Sequence, residues 1–113
     1  AEAVERYGLK PLAKIRGFAD AEQAPEWFTT TPTLAAPKAL KMAGLDVSDI
    51  DYVEVNEAFA VVALAFEQVL GFSHDRTNVF GGSVAIGHPL GSSGSRIVTT
   101  LNNVLHQKNG RYG

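Results

Sequence analysis

His88 stands alone among small residues in the stretch GGSVAIGHPLGSSGS, residues 81–95. An imidazole changes its charge near neutral pH, so it can act as a general base or as a hydrogen-bond donor to a developing negative charge. Gly87 before it permits a positive φ, and Pro89 after it disfavours helical geometry at His88. The residue types therefore leave three interpretations open: a surface turn, a phosphate-binding loop, or one part of an active site.

The phosphate-binding interpretation is the weakest of the three. The stretch lacks the Gly-Lys-Ser/Thr ending of a P-loop, and its glycines do not follow the G-x-G-x-x-G spacing. A lone histidine in a loop is most often a surface residue. A surface loop, however, has no need for a glycine before the histidine, a proline after it and a further run of small residues.

A second polar group stands at the junction Asn56-Glu57-Ala58-Phe59, between a predicted strand and a predicted helix. Asn56 can cap the helix by accepting from its free N–H groups, and Glu57 in the first turn suits the helix dipole. Alternatively, the Asn56 amide orients a substrate or a water at the end of the strand, where α/β folds place their sites. The residues alone leave both interpretations open.

Composition excludes several classes of function. The chain has no cysteine, so within it there is no disulfide, no thiolate metal ligand and no cysteine nucleophile. The net charge of −2 provides no basic field for nucleic acid or an anionic membrane, and no apolar run is long enough for a membrane span. His74 and His106 lie in polar surroundings without metal-ligand spacing, which predicts no metal site.

Helices and strands alternate in the predicted fold, and we therefore expect an α/β protein with helices layered around a sheet. Apolar periodicity and terminal Gly and Pro signals predict helices over residues 1–7, 34–43, 58–70 and 92–107. Strands are expected over 12–19, 52–55 and 78–80, with a further strand beginning at Arg111. Residues 20–33 are predicted to form a loop.

Three motifs in this order resemble the C-terminal half of the thiolase family. They are Asn56-Glu57-Ala58-Phe59, then Asn78-Val79-Phe80-Gly81-Gly82, then Gly87-His88-Pro89-Leu90-Gly91-Ser92-Ser93-Gly94, followed by a helix that contains Arg96. The segments 18–21, 25–28 and 31–35 further resemble the acetoacetyl-CoA, or biosynthetic, branch. The resemblance covers essentially the whole chain.

The resemblance implies a thiolase-like fold in which helices are layered around a mixed sheet. Residues 1–113 would form one C-terminal thiolase domain, incomplete at both ends, with its last strands missing. We expect such a piece to expose a sheet edge and to aggregate or remain partly disordered alone. A sharp, cooperative melt of the isolated monomer would count against this.

The resemblance also implies an activity, the Claisen condensation of two acetyl-CoA molecules to acetoacetyl-CoA and the reverse thiolysis. His88 would activate the nucleophilic cysteine and polarise a thioester oxygen, and Asn56 would hold a water that completes an oxyanion hole. Glu57 and Gly87 would support this site, and Ala58 and Phe59 would lie against the ligand. Both catalytic cysteines would lie outside these residues, so we expect the isolated chain to be inactive.

Partners and cofactors follow from the same resemblance. The substrates would be coenzyme A thioesters, with no covalently bound cofactor, and some members bind potassium, for which the Val84 carbonyl would be one contact. The N-terminal thiolase half would be a partner, and the whole enzyme a homodimer or homotetramer. A cytoplasmic location is expected, with the mitochondrion and the peroxisome as alternatives.

Two other functions remain open. One is a 3-ketoacyl-CoA thiolase of broader chain length, and the other is a non-catalytic module that kept the fold for binding or scaffolding. Phe80 departs from the family pattern, because many members carry Asn or His there. The apolar Phe80 therefore predicts no polar role at that position.

Overall fold

A computed structural model describes residues 2–113, and Ala1, which belongs to the first predicted helix, lies outside the described residues. Five α-helices follow one another along the chain: α1 (Glu2–Tyr7), α2 (Pro32–Ala43), α3 (Ala60–Leu70), α4 (Ser83–Ile86) and α5 (Ser93–Lys108). Three 3₁₀ turns lie between them, at Pro25–Thr30, Val47–Asp49 and His74–Arg76. The first of these occupies part of the predicted loop 20–33.

The predicted helices are confirmed, with shifted ends. Helix α2 begins two residues before the predicted start because Pro32 takes the first helical position, where its missing N–H costs nothing. Pro37 consequently lies inside the helix rather than in its first turn. Gly44 and Gly71 end α2 and α3 in the left-handed conformation, with φ of 69° and 76°, as their glycine signals predict.

The predicted strands are not formed as a sheet within residues 2–113. One parallel bridge, Val53 to Thr77, joins two segments, and the segment 12–19 forms no regular element and is largely exposed. An extended backbone becomes a strand only when a neighbouring strand takes its N–H and C=O groups. In the predicted strand 78–80, Asn78 has a φ of 47°, and the Gly81 amide donates back to the Asn78 carbonyl at 2.8 Å. That segment is therefore a turn.

The segment expected to start a strand at Arg111 is held by a side chain instead. The Asp51 carboxylate accepts from the amides of Arg111 and Tyr112, at 2.6 and 3.0 Å. These two bonds, that of Tyr112 first, keep the pKa of Asp51 below its usual value. The Asp51 amide in turn donates to the Tyr112 carbonyl at 2.9 Å. The carboxylate takes N–H groups that a strand would offer to a neighbour.

The core lies between α2, α3 and the segment that leads to Asn56. Five buried residues form its centre, and the rings of Phe66 and Phe72 stack with centroids 5.6 Å apart. The five are Ile50, Val55, Val62, Phe66 and Phe72.

Many apolar side chains remain outside this core. Ile15 is 83% exposed and Leu90 is 85% exposed. A groove of about 500 Å³ runs between the irregular segment 12–17, α2 and α5. Single exposed apolar residues are ordinary, but a groove of this size is typical of a surface that another segment or chain covers.

Candidate active site

His88 is held at one ring nitrogen by the first residue of α5. Its Nδ1 lies 2.7 Å from Ser93 Oγ, and Ser93 Oγ donates to the Pro89 carbonyl at 3.2 Å. A hydroxyl has one proton, so a Ser93 that donates to Pro89 accepts from His88 Nδ1–H. The Nε2 then carries the free lone pair. This arrangement presents Nε2 as a base, or as a donor once it has taken a proton.

The backbone that leads into His88 turns at the glycine that precedes it. Gly87 has a φ of 94°, which only glycine adopts without strain. Its amide donates to the Ser83 carbonyl at 2.8 Å and so closes α4. Helix α4 is a single turn that the sequence patterns do not predict, since four residues are too few for a periodic signal.

Asn56 does not cap the following helix, and the capping interpretation is wrong. Helix α3 begins at Ala60 with Phe59 in the capping position, so Glu57 also lies outside its first turn. Glu57 instead has a distant partner, since its Oε2 accepts from the Val84 amide at 3.0 Å. The turn at 56–58 closes with the Ala58 amide donating to the Asn56 carbonyl at 3.0 Å. The Asn56 side chain is left exposed.

Gly82 provides the room for this contact. A Cβ placed there would overlap the Glu57 carboxylate and the Asn78 amide. Glu57 thus joins the segment that carries Asn56 to the helix that leads to His88. This explains the glycine in terms of packing against a side chain rather than in terms of turn geometry alone.

Asn78 is a structural residue of the site to which the sequence patterns assign no role. Its side-chain oxygen accepts from the Val55 amide at 2.7 Å, and its side-chain nitrogen donates to the Val55 carbonyl at 3.1 Å. The side chain takes the place of a neighbouring strand and fixes the backbone just before Asn56. The only signal in the sequence is its place at the start of the motif 78–82.

Glu54 and Arg96 form a buried ion pair beside this backbone. Arg96 Nη1 lies 3.5 Å from Glu54 Oε2, and the Glu54 side chain is only 2% exposed. Burial raises the pKa of Glu54 to about 6, against the attraction of Arg96, and the charge of Glu57 adds to the rise.

Phe59 presents an aromatic surface next to Asn56 and Glu57. It is 60% exposed, and its ring meets the ring of Phe28 edge-on, with centroids 6.1 Å apart. Ala58 is half-buried between Glu57 and Phe59. Most of the Phe59 ring is therefore accessible from solvent.

Two separate hydrogen bonds hold the segments that carry the predicted site residues. Glu57 joins Val84, and Ser93 joins His88, whereas no hydrogen bond among residues 2–113 links His88 directly to Asn56. In the described part of the chain, no group of three His, Cys, Asp or Glu side chains could hold a metal ion. Nor does any helix there combine the length and apolar character that a membrane crossing requires.

Comparison with known proteins gives one consistent result. The family described as "Thiolase, C-terminal domain" matches residues 9–113. The chain is 62% identical over 106 residues to acetyl-CoA acetyltransferase 1 of Arabidopsis thaliana and 58% identical over 113 residues to acetyl-CoA acetyltransferase of Schizosaccharomyces pombe. These matches cover 94% and 100% of the chain.

A solved thiolase structure is also similar to this chain. Human mitochondrial 3-ketoacyl-CoA thiolase in complex with CoA superposes with a TM-score of 0.92 at 44% identity over 97% of the chain. The chain spans 26% and 29% of the two acetyltransferases and 28% of the human protein. The expected thiolase-like fold is therefore confirmed, although the mixed sheet is not formed within residues 2–113.

Proposed function

Because the chain belongs to the thiolase family, we propose that it is the C-terminal part of an acetyl-CoA C-acetyltransferase. Residues 1–113 belong to its C-terminal domain. The whole enzyme joins two acetyl-CoA molecules into acetoacetyl-CoA and free CoA, or runs this reaction in reverse. The observation that carries the proposal is the His88–Ser93 hydrogen bond within a segment 62% identical to an acetyl-CoA acetyltransferase.

His88 has two tasks in the proposed mechanism. Its Nε2 accepts the proton of the nucleophilic thiol, which belongs to the N-terminal half, since this chain has no cysteine. The thiolate then attacks the ketone carbon of acetoacetyl-CoA, and the C–C bond to the neighbouring carbon breaks. The acetyl group stays on sulfur, and the other product leaves as the enolate of acetyl-CoA.

Asn56 stabilises that enolate together with His88. The protonated Nε2 donates to the thioester oxygen, and the exposed Asn56 amide holds a water that donates to the same oxygen. Two fixed donors at a developing negative charge stabilise a transition state by several kcal/mol. Glu57 and Gly87 hold the two segments, and Ala58 and Phe59 contact the substrate.

Potassium has no role in the proposed mechanism. The Val84 amide is bound to Glu57, and Val84 is 66% exposed. One carbonyl does not make a cation site, so no step passes through potassium.

The exposed apolar groove supports the proposal that an N-terminal half and further chain cover it, in a homodimer or homotetramer. A cytoplasmic location is proposed; the similar human thiolase is mitochondrial.

A second candidate is a 3-ketoacyl-CoA thiolase of broader chain length. It is favoured by the TM-score of 0.92 to the human thiolase of that name. The two candidates differ in the ratio of kcat/KM for acetoacetyl-CoA to kcat/KM for a long-chain 3-ketoacyl-CoA. The first candidate predicts a strong preference for the short substrate.

The proposal is tested in a chimera, in which this chain replaces the matching segment of the Arabidopsis enzyme. We expect thiolysis of acetoacetyl-CoA within about tenfold of the parent enzyme, because the site residues come from this chain. The 113 residues alone, which lack a thiol nucleophile, should show none. A chimera that assembles like its parent but has no activity would overturn the proposal and favour a scaffold. A second chimera in the Schizosaccharomyces pombe enzyme provides the same test if the first does not fold.

A further inference from the structure

Arg96 connects two separate segments to the helix that holds His88. It projects from α5 one turn beyond Ser93, and its side chain is 22% exposed. Its Nη2 donates to Ser83 Oγ at 3.2 Å, and its Nη1 lies 3.5 Å from Glu54 Oε2. One guanidinium therefore contacts both the start of α4 and the segment before Asn56.

Burying the Glu54 carboxylate at this position is energetically unfavourable. Neither of its carboxylate oxygens has a hydrogen-bond partner among residues 2–113, and neither does Arg96 Nη1. A buried ion pair with unsatisfied atoms is weak evidence for stability, because the desolvation of the charges offsets their attraction. The pair is better explained by the geometry that it imposes.

Each residue of the ion pair is connected to a residue of the proposed site. Glu54 stands two residues before Asn56, and Asn78 clamps the residue between them, Val55, through two hydrogen bonds. On the other side, the Ser83 carbonyl accepts from the Gly87 amide, next to His88.

The third connection runs along α5. Arg96 and Ser93 occupy consecutive turns of that helix, and Ser93 binds the His88 ring. A shift of the guanidinium would therefore change the position of His88 relative to Asn56.

We propose that Glu54 and Arg96 are positioning residues for acyl transfer, and that their ion pair, with Ser83 as a third contact, sets the spacing between Asn56 and His88. Neither side chain touches the substrate. This inference rests on the proposed function. Nothing in the residue types at these two positions assigns them a role, since the partners lie far apart in the sequence.

The test uses Glu54→Gln, Arg96→Gln and Arg96→Lys in the chimera described above. A displacement of about 1 Å at an active site lowers the rate by up to roughly 100-fold. We therefore expect kcat for acetoacetyl-CoA to fall roughly 10- to 100-fold in Glu54→Gln and Arg96→Gln, with KM changed less than about threefold. Arg96→Lys, which keeps the charge, should retain more activity than Arg96→Gln.

The double variant Glu54→Gln/Arg96→Gln should be no slower than the slower single variant, because both changes break the same ion pair.

The matched control is Glu67→Gln. Glu67 is a carboxylate 13% exposed and paired with His74 at 3.1 Å on the far end of α3, and its removal should leave kcat unchanged. Ser83→Ala removes only the hydroxyl that accepts from Arg96. It provides the same test if the larger changes at Glu54 or Arg96 prevent folding.

Two results would overturn the inference. The first is a folded Glu54→Gln, Arg96→Gln or Ser83→Ala chimera with the kcat of the unsubstituted chimera. The second is a change confined to thermal stability or to KM. Failure of the proposed function is distinguishable, because in that case the unsubstituted chimera is itself inactive.

Discussion

Replacing His88 with alanine is expected to lower kcat/KM for acetoacetyl-CoA thiolysis by roughly 10³-fold in the chimera. The change removes both the base that takes the thiol proton and one donor to the enolate oxygen. General acid–base catalysis alone contributes about 10²- to 10⁴-fold. The measurement is the initial rate of acetoacetyl-CoA consumption, followed by the absorbance of its enolate.

The chain provides two matched controls for this variant. His74 is 87% exposed and paired with Glu67, and His106 contacts the Leu12 carbonyl at 3.3 Å, at the other end of α5. His74→Ala and His106→Ala should keep the activity of the unsubstituted chimera. Near-normal turnover in a folded His88→Ala chimera would exclude His88 from the catalytic machinery.

Replacing Asn56 with alanine is the second large expected effect, a loss of roughly 10²- to 10³-fold in kcat. That is the usual consequence of removing one donor from an oxyanion hole, equivalent to about 2.7–4 kcal/mol. KM should change little, because the donated hydrogen bond strengthens only as charge develops. Steady-state thiolysis at saturating CoA measures both constants.

Asn56→Asp separates this role from a purely structural one. The substituted side chain has nearly the same shape, but it cannot donate, and its charge repels an enolate. We expect it to be at least as slow as Asn56→Ala. Asn103→Ala is the control, since Asn103 is an exposed amide on α5. Full activity in Asn56→Asp would show that the amide does not act on the oxyanion.

The helices of this chain were largely predictable from the sequence because their signals are local. Gly44 and Gly71 end α2 and α3 where predicted, and both take the left-handed conformation that glycine favours. The conformation of Gly87 beside His88 was predictable for the same reason. Local sterics decide all three positions.

The contacts that hold the site were not predictable, because each depends on a partner distant in the sequence. Glu57 binds an amide 27 positions away, and Asn78 binds Val55 across 23 positions. The capping prediction at Asn56 was wrong because α3 begins only at Ala60, and residues 56–58 close a turn of their own before it. The predicted strands failed for a related reason, because a strand is defined by its neighbour and residues 2–113 supply only one bridge.

The central claim is that His88 and Asn56 act on the same thioester oxygen in one step. The most direct test is the double variant His88→Ala/Asn56→Ala, compared with the two single variants in the same chimera. Residues that act as a unit have strongly non-additive effects on the rate. The account predicts that the double variant is slowed about 10³-fold, as His88→Ala alone is. A loss equal to the product of the two single effects, roughly 10⁵-fold or more, would show independent roles and contradict the account.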